Sequence, residues 1–363
     1  MSAALSGPGQ DTGQVPGQVH ARFESIGVSL PATRQSTAEL LARVQCETPI
    51  PLEEFTGIRS RRVCGDDEDS LGLAVAAARD CLSRSRYRAD EIDIVIFTSI
   101  SRALCDRPRM SFEPSMAGLV KRAIGAKNAT HFDVSNACAG MTTGVQIVDR
   151  MIKAGVVRNG LVVSGERITP IAVAASAEIT DPRHQQVASL TVGDAGAAVV
   201  VDVSDSPADR IHHIELLTSA EFSDLCFGMP SETQPGMAMY ADNRAMHARE
   251  RVQLWPRFQK DFLARHGATF ASEQYDFIVQ HQVSALAIHL FSRCGAQVFG
   301  QPMPESLSVV EEFGNTATTS HYLVLYQALK EGRLQGGKVL LVPAASGIVV
   351  GFVSATMSSL KVA

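Results

Sequence analysis

The chain has 363 residues, 45% of them hydrophobic and 20% charged, with a formal net charge of −5. That apolar share is too high for a disordered polypeptide, and the acidic balance argues against a nucleic-acid partner, which calls for a basic excess or stripe. No apolar run nears the roughly 20 residues of a membrane helix, and the Gly-, Pro- and Gln-rich residues 1–18 lack the basic start and apolar segment of a signal peptide. A cytoplasmic protein with no membrane partner is expected, its N-terminal extension over 1–18 disordered. Arg22 to Leu30 reads as a first strand stopped by Pro31, and residues 70–85 carry Ala and Leu at helical spacing. IDIVIFTS (92–99) is a short continuous apolar run, the pattern of a strand covered on both faces. The unit then repeats: helix 114–124, strand 131–134, helix 139–154, strand 160–164 and a strand over 195–203.

The second half replays the order. Helices are expected over 248–265, 284–295 and 317–331, and strands over 275–280, 307–311, 338–343 and 348–357. Such alternation, twice over, predicts an α/β fold with an internal duplication, divided into halves over 19–205 and 206–363. The duplication also pairs loops. Ser135-Asn136-Ala137-Cys138 in the first half corresponds to Gly314-Asn315-Thr316 in the second, and Ser99-Ile100-Ser101 to His281-Gln282. Ligands gather at the carboxyl ends of parallel strands, so Cys138, His281 and Asn315 are expected to meet at one crevice.

The seven cysteines (46, 64, 81, 105, 138, 226, 294) are odd in number, widely spaced and contain no CxxC pair. Neither a disulfide framework nor a zinc site fits, and no metal or cofactor is expected. Most such residues are small apolar core groups, and Cys138 can be read that way too. Its alternative reading is a nucleophile: a thiol before a helix starting near Ala139 would have its pKa lowered by the helix end. His281, ending an apolar strand, is either structural or a donor to a developing oxyanion. Asn315, either a turn residue or an amide donor, suits a thioester carbonyl because it never changes charge.

FDVSNACAG (132–140) resembles the active-cysteine motif of ketoacyl-acyl-carrier-protein synthase III and its thiolase-fold relatives. TGIRSRR (56–62), VGDAGAA (192–198), HQ (281–282), EEFGNTA (311–317) and SGIVVG (346–351) are similar to further motifs of that family, in its order. The resemblance implies a thiolase-like duplicated five-layer α-β-α-β-α fold and a homodimer. It implies a Cys138–His281–Asn315 triad, an oxyanion hole from the backbone N–H groups of Cys138 and Gly347, and substrate contacts from Phe112, Ser284 and Arg59. The expected activity is Cys-dependent condensation of two acyl thioesters carried by coenzyme A or an acyl carrier protein, in fatty-acid-like or specialised-metabolite synthesis. Transfer of the Cys-bound acyl group to an alcohol or amine is the alternative.

Departures from the pattern are informative. Glu113 stands where the family commonly has an apolar residue lining the partner's acyl pocket. In this it resembles the condensing enzymes of olefin and β-lactone pathways, which use such a glutamate as a base across the dimer. A helix-start role before Pro114 is the other reading. The tryptophan and arginine that usually clamp coenzyme A are Pro51 and Leu286 here, which favours carrier-protein delivery or another clamp. Arg59, Arg61, Arg62, Arg107 and Arg109 are candidates for a phosphate or an acidic carrier, and the usual triple glycine reads Ala345-Ser346-Gly347.

Overall fold

A computed structural model describes residues 19–102, 114–206, 208–360 and 362. In chain order the strands of the first part are β1 (Ala21–Ser29), β2 (Arg34–Ser36), β3 (Ser60–Arg62), β4 (Ile94–Phe97), β5 (Thr130–Asp133), β6 (Asn159–Glu166) and β7 (Ala195–Val203). The short β2 and β3 pair only with each other, and the rest form a five-stranded sheet ordered β1-β7-β6-β4-β5. The remaining strands are β8 (Ile211–Thr218), β9 (Cys226–Pro230), β10 (Met237–Ala241), β11 (Phe277–Gln280), β12 (Glu305–Ser306), β13 (Lys338–Val342), β14 (Ala344–Ala345) and β15 (Val349–Thr356). All but β9 and β10 join a second sheet, ordered β8-β15-β13-β11-β12 with β14 also on β15. Its pairing directions repeat those of the first: β4–β5 and β4–β6 are parallel, as are β11–β12 and β11–β13.

Strand composition explains the layering. Along β7, Ala197, Val199 and Val201 face one core while Ala198 and Val200 face another, and along β13 Val339 and Leu341 oppose Leu340 and Val342. Strands apolar on both faces need cover on both. Between the sheets lie the helices Gly140–Lys153 and Ser320–Lys330, which send Val145, Val148, Leu325 and Ala328 into the shared core. Helices Ser70–Leu82 and Met116–Ile124 cover the outer face of the first sheet, and Leu254–Arg265 and Ala285–Phe299 that of the second. The result is the expected five-layer α-β-α-β-α fold, closely packed: a Cβ on Gly140 would meet the Thr98 carbonyl oxygen at 2.5 Å.

Local expectations fare unevenly. The strand expected over 307–311 is instead β12 at Glu305–Ser306, followed by a short helix Val310–Phe313. A Leu/Val run such as LSVV (307–310) beside a two-residue edge strand is indistinguishable from a strand by alternation alone. The helix over 248–265 breaks into Arg249–Val252 and Leu254–Arg265. The structure adds strand β8, the helix Pro170–Glu178 and the β9–β10 ribbon to the expected elements, and β8 is the second-sheet counterpart of β1. No helix among the described residues is long and apolar enough to cross a membrane.

Candidate active site

The loops that leave β4, β5, β11 and β12 at their carboxyl ends meet in one apolar cavity of about 590 Å³. Cys138, His281 and Asn315 all line it. A cavity of this size with a few convergent polar groups is the usual form of a small-molecule site.

Backbone strain marks the loops that supply them. Of four non-glycine residues with positive φ among those described, Ala137 (+44°), Ala317 (+51°) and Ile348 (+51°) all line this cavity. Each costs on the order of 1–3 kcal/mol, a cost tolerated where it aims a functional group. Ala137 turns the chain so that Cys138 sits at the mouth of the helix Gly140–Lys153, with the N–H of Ala139 donating to the Asn136 carbonyl at 3.0 Å. Gly347 (φ +74°) precedes Ile348 in the loop joining β14 to β15.

The thiol is not activated by the helix end. Burial pushes Cys138 up to about 12, reinforced by the Glu166 carboxylate and by Cys226. The thiol therefore lies opposite to the expected lowering, because desolvation of the thiolate and the neighbouring Glu166 carboxylate both favour the neutral thiol. Glu166, fully buried at the end of β6, accepts hydrogen bonds from the N–H groups of Ile100 and Ser101 (2.9 Å each) and from the Thr318 hydroxyl (2.6 Å). It thereby ties the loop after β4 to the turn after Asn315. The readable signal for Glu166 was a lone charge ending an apolar strand.

His281 is buried, and its N–H donates to the Val342 carbonyl at 3.1 Å. The same carbonyl faces Nε2 of His321 at 3.1 Å, and the two imidazoles stack 5.9 Å apart. Burial, then His321 and His247, lowers His281 to about 3, so the ring is neutral at physiological pH. Its Nδ1 has no hydrogen-bond partner among the described residues. Asn315 Oδ1 accepts the Ala317 N–H at 3.0 Å, which commits the carbonyl end to the loop and leaves the amide end as donor.

A second cavity of about 370 Å³ adjoins the first through Thr191, Asn243, His247 and Val283. Its rim carries Pro51 and Leu286, with Phe55 and Leu286 58% and 63% exposed. Ser284 lines it, but its hydroxyl caps the helix Ala285–Phe299 by accepting from the Ala287 N–H at 3.0 Å. Arg59 lines neither cavity; it pairs with Glu311 at the surface. Arg61 is buried and donates to the Leu190 carbonyl and the Thr37 hydroxyl, and Arg62 donates to the Ala32 carbonyl. Cys81 and Cys294 are core residues. Phe112, Glu113, Arg107 and Arg109 lie outside the described residues.

Comparison with known proteins agrees with this geometry. Residues 132–220 match the family 3-oxoacyl-[acyl-carrier-protein] synthase III and residues 266–357 its C-terminal part. The β-ketoacyl-[acyl-carrier-protein] synthase III of Neisseria gonorrhoeae is 26% identical over 333 residues, covering 90% of this chain and 96% of that protein. The enzyme of the same name from Deinococcus deserti is 28% identical over 303 residues, covering 82% of this chain and 79% of that one. OleA of Xanthomonas campestris, solved as a Cys-to-Ser variant with lauric acid and lauroyl-CoA, superposes with TM-score 0.76 at 25% identity, over 93% of this chain and 99% of that one. Fold and cavity define a condensing enzyme of thiolase architecture. The chain is similar to the ketoacyl-acyl-carrier-protein synthase III-like enzymes over both halves, and that likeness supports Cys-dependent Claisen condensation.

Proposed function

We propose that this protein is an acyltransferase that joins two acyl thioesters through an acyl-Cys138 intermediate. The observation that carries this reading is the convergence of Cys138, His281 and Asn315 on one apolar cavity. Cys138 sulfur attacks the first thioester, the carrier thiol leaves with the proton, and the tetrahedral oxyanion is held by the backbone N–H groups of Cys138 and Gly347. The second thioester then binds with its carbonyl oxygen between the neutral His281 ring and the Asn315 amide. Those donors stabilise the enolate oxygen, the α-carbon attacks the Cys138-bound carbonyl, and collapse of the tetrahedral adduct breaks the carbon–sulfur bond, releasing a β-keto thioester and the Cys138 thiolate, which takes up a proton.

Because the thiol is protonated at rest, acylation couples loss of the Cys138 proton to departure of the carrier thiol. Pro51 and Leu286 supply no charge or hydrogen bond for a nucleotide, which supports delivery by an acyl carrier protein over free coenzyme A. Glu113 is the base if both substrates are plain acyl thioesters. A malonyl thioester would instead yield its enolate by loss of CO2. Intact-protein mass spectrometry after mixing with acyl-CoA or acyl-carrier-protein thioesters tests the reading. An acyl adduct on the wild type and none on Cys138→Ala is expected, with Cys294→Ala behaving as wild type. An adduct that persists in Cys138→Ala would reject it.

A further inference from the structure

The β9–β10 ribbon belongs to neither main sheet, yet it walls the cavity that holds Cys138. Its antiparallel register pairs Cys226 with Ala241, Gly228 with Met239 and Pro230 with Met237. Strand alternation places these three rungs on one face; Cys226, Gly228, Met237, Met239 and Ala241 of that face line the cavity, together with Phe227 and Ala238 of the intervening rungs. The face is apolar, and at its middle rung a residue with no side chain opposes a methionine. A Cβ added to Gly228 would meet only the Met237 methyl end at 3.4 Å and the Ala238 carbonyl oxygen at 3.8 Å. A side chain at Gly228, across the ribbon from Met239, would therefore displace no neighbour.

The ribbon is held at both ends. At its base the Ser346 hydroxyl donates to Cys226 sulfur at 3.2 Å, joining it to the loop that carries Gly347. At its tip, Glu178, the last residue of the helix Pro170–Glu178, accepts from the Ser231 and Thr233 hydroxyls and from the N–H groups of Glu232 (2.9 Å) and Thr233 (3.2 Å). Gln186 holds the other carboxylate oxygen. A wall fastened at base and tip holds its shape, so its middle rung can act as a fixed stop within the cavity it shares with Cys138.

We propose that the Gly228–Met239 rung is the specificity determinant for the acyl chain, admitting a long unbranched aliphatic group that ends against Met239. This rests on the condensing reading of the cavity for its link to Cys138, while the cavity's own length preference is measurable without it. An alkyl chain offers nothing but apolar area, which suits a wall of methionines that repack around it. Ser346 and Cys226 then have a common role: they anchor the stop to the loop beside Cys138.

The test uses the full chain and saturated acyl-CoA thioesters from octanoyl to stearoyl, with the rate of Cys138 acylation read by intact mass. Gly228→Leu places a side chain across the ribbon from Met239. It should lower the long-to-short ratio of acylation efficiency about tenfold or more, the scale on which apolar pockets discriminate chain length. Met239→Ala should raise that ratio by a similar factor. Met229→Ala, on the opposite face of the ribbon and outside the cavity lining, should leave it unchanged. Displacement of cis-parinaric acid by free fatty acids of the same lengths reads the cavity without thioester chemistry. If Cys138 is never acylated but the variants shift this displacement in opposite directions, the condensing reading fails and the chain-length stop stands. Unchanged length profiles in folded Gly228→Leu and Met239→Ala proteins, in either assay, would overturn the proposal.

Discussion

Two neutral groups share the proposed oxyanion work on the second substrate, and their neutrality has separate causes. The Asn315 amide has no proton to lose, whereas the His281 imidazole is kept uncharged by burial and by His321 beside it. Removing either donor should spare acylation, which relies on backbone N–H groups, and slow condensation by about 10²–10³-fold, the scale of one oxyanion donor. Rapid-quench separation of the two half-reactions in His281→Ala and Asn315→Ala checks this, and equal loss of acylation in both would contradict the division. The same environment sets a pH dependence. A His281 lowered to about 3 binds no proton between neutrality and mild acid, so single-turnover condensation from a preformed acyl-enzyme should show no histidine inflection between about pH 5 and 7.5. Acylation behaves oppositely. With Cys138 raised to about 12, alkylation of this thiol by iodoacetamide should climb steadily across about pH 7 to 10 without a plateau.

At the scale of elements, the site is held by close contacts between pieces distant in sequence. The helix that follows Cys138 approaches the loop after β4 so tightly that a methyl on Gly140 would sit 2.5 Å from the Thr98 carbonyl oxygen and 3.2 Å from Thr318 Cγ2. Gly140→Ala should therefore push the helix start away from β4, lowering stability by about 1–3 kcal/mol as overpacking does and slowing acylation with it. Thermal unfolding together with acylation kinetics measures both effects. Glu178 gives the ribbon its own acid sensitivity. Burial opposes ionisation, but hydrogen bonds from Ser231 and Gln186 prevail and hold the carboxyl down at about 2. A depressed carboxylate contributes stability that is complete above its unfolded value near 4.5 and is lost as pH falls toward 2. Opening of the ribbon, followed by amide hydrogen exchange at Met237–Ala241, should rise over that acid window and not near neutrality.

For the whole molecule, the question is what lies across the edge of the first sheet. β5 is an edge strand of four residues, and an uncovered edge is a pairing surface. We expect two copies to join there about a two-fold axis, an isologous contact. Sedimentation should show a dimer at micromolar concentration; a fully active monomer would refute the arrangement. If Glu113 acts as base on plain acyl thioesters, Glu113→Gln should leave Cys138 acylation intact and cut head-to-head condensation by about 10²–10⁴-fold. Wild-type rates with that variant on plain acyl donors would return Glu113 to a helix-start role.

Amino-acid order alone determined the duplicated α/β architecture, because runs such as IVIF (94–97) and VLLV (339–342) are apolar at every position and demand cover on both faces. It also determined which loops carry Cys138, His281 and Asn315, since the Cys138 and Asn315 loops fall at one step of the two halves and the His281 loop matches Ser99–Ser101 at another. Tertiary structure decided the rest. The helix mouth beside Cys138 promised an acidic thiol, but burial, then Glu166 and Cys226 brought in from distant parts of the chain, push it up instead. Arg59 looked available for substrate until Glu311, 252 residues away, took it at the surface. The strain at Ala137, Ala317 and Ile348 was illegible because alanine and isoleucine give no local warning of positive φ; only the packed surroundings hold them there. The ribbon over 226–241 was missed for a related reason: its strands are short and stand apart from both sheets, and its role comes from the cavity it closes and the carboxylate of Glu178 that pins it.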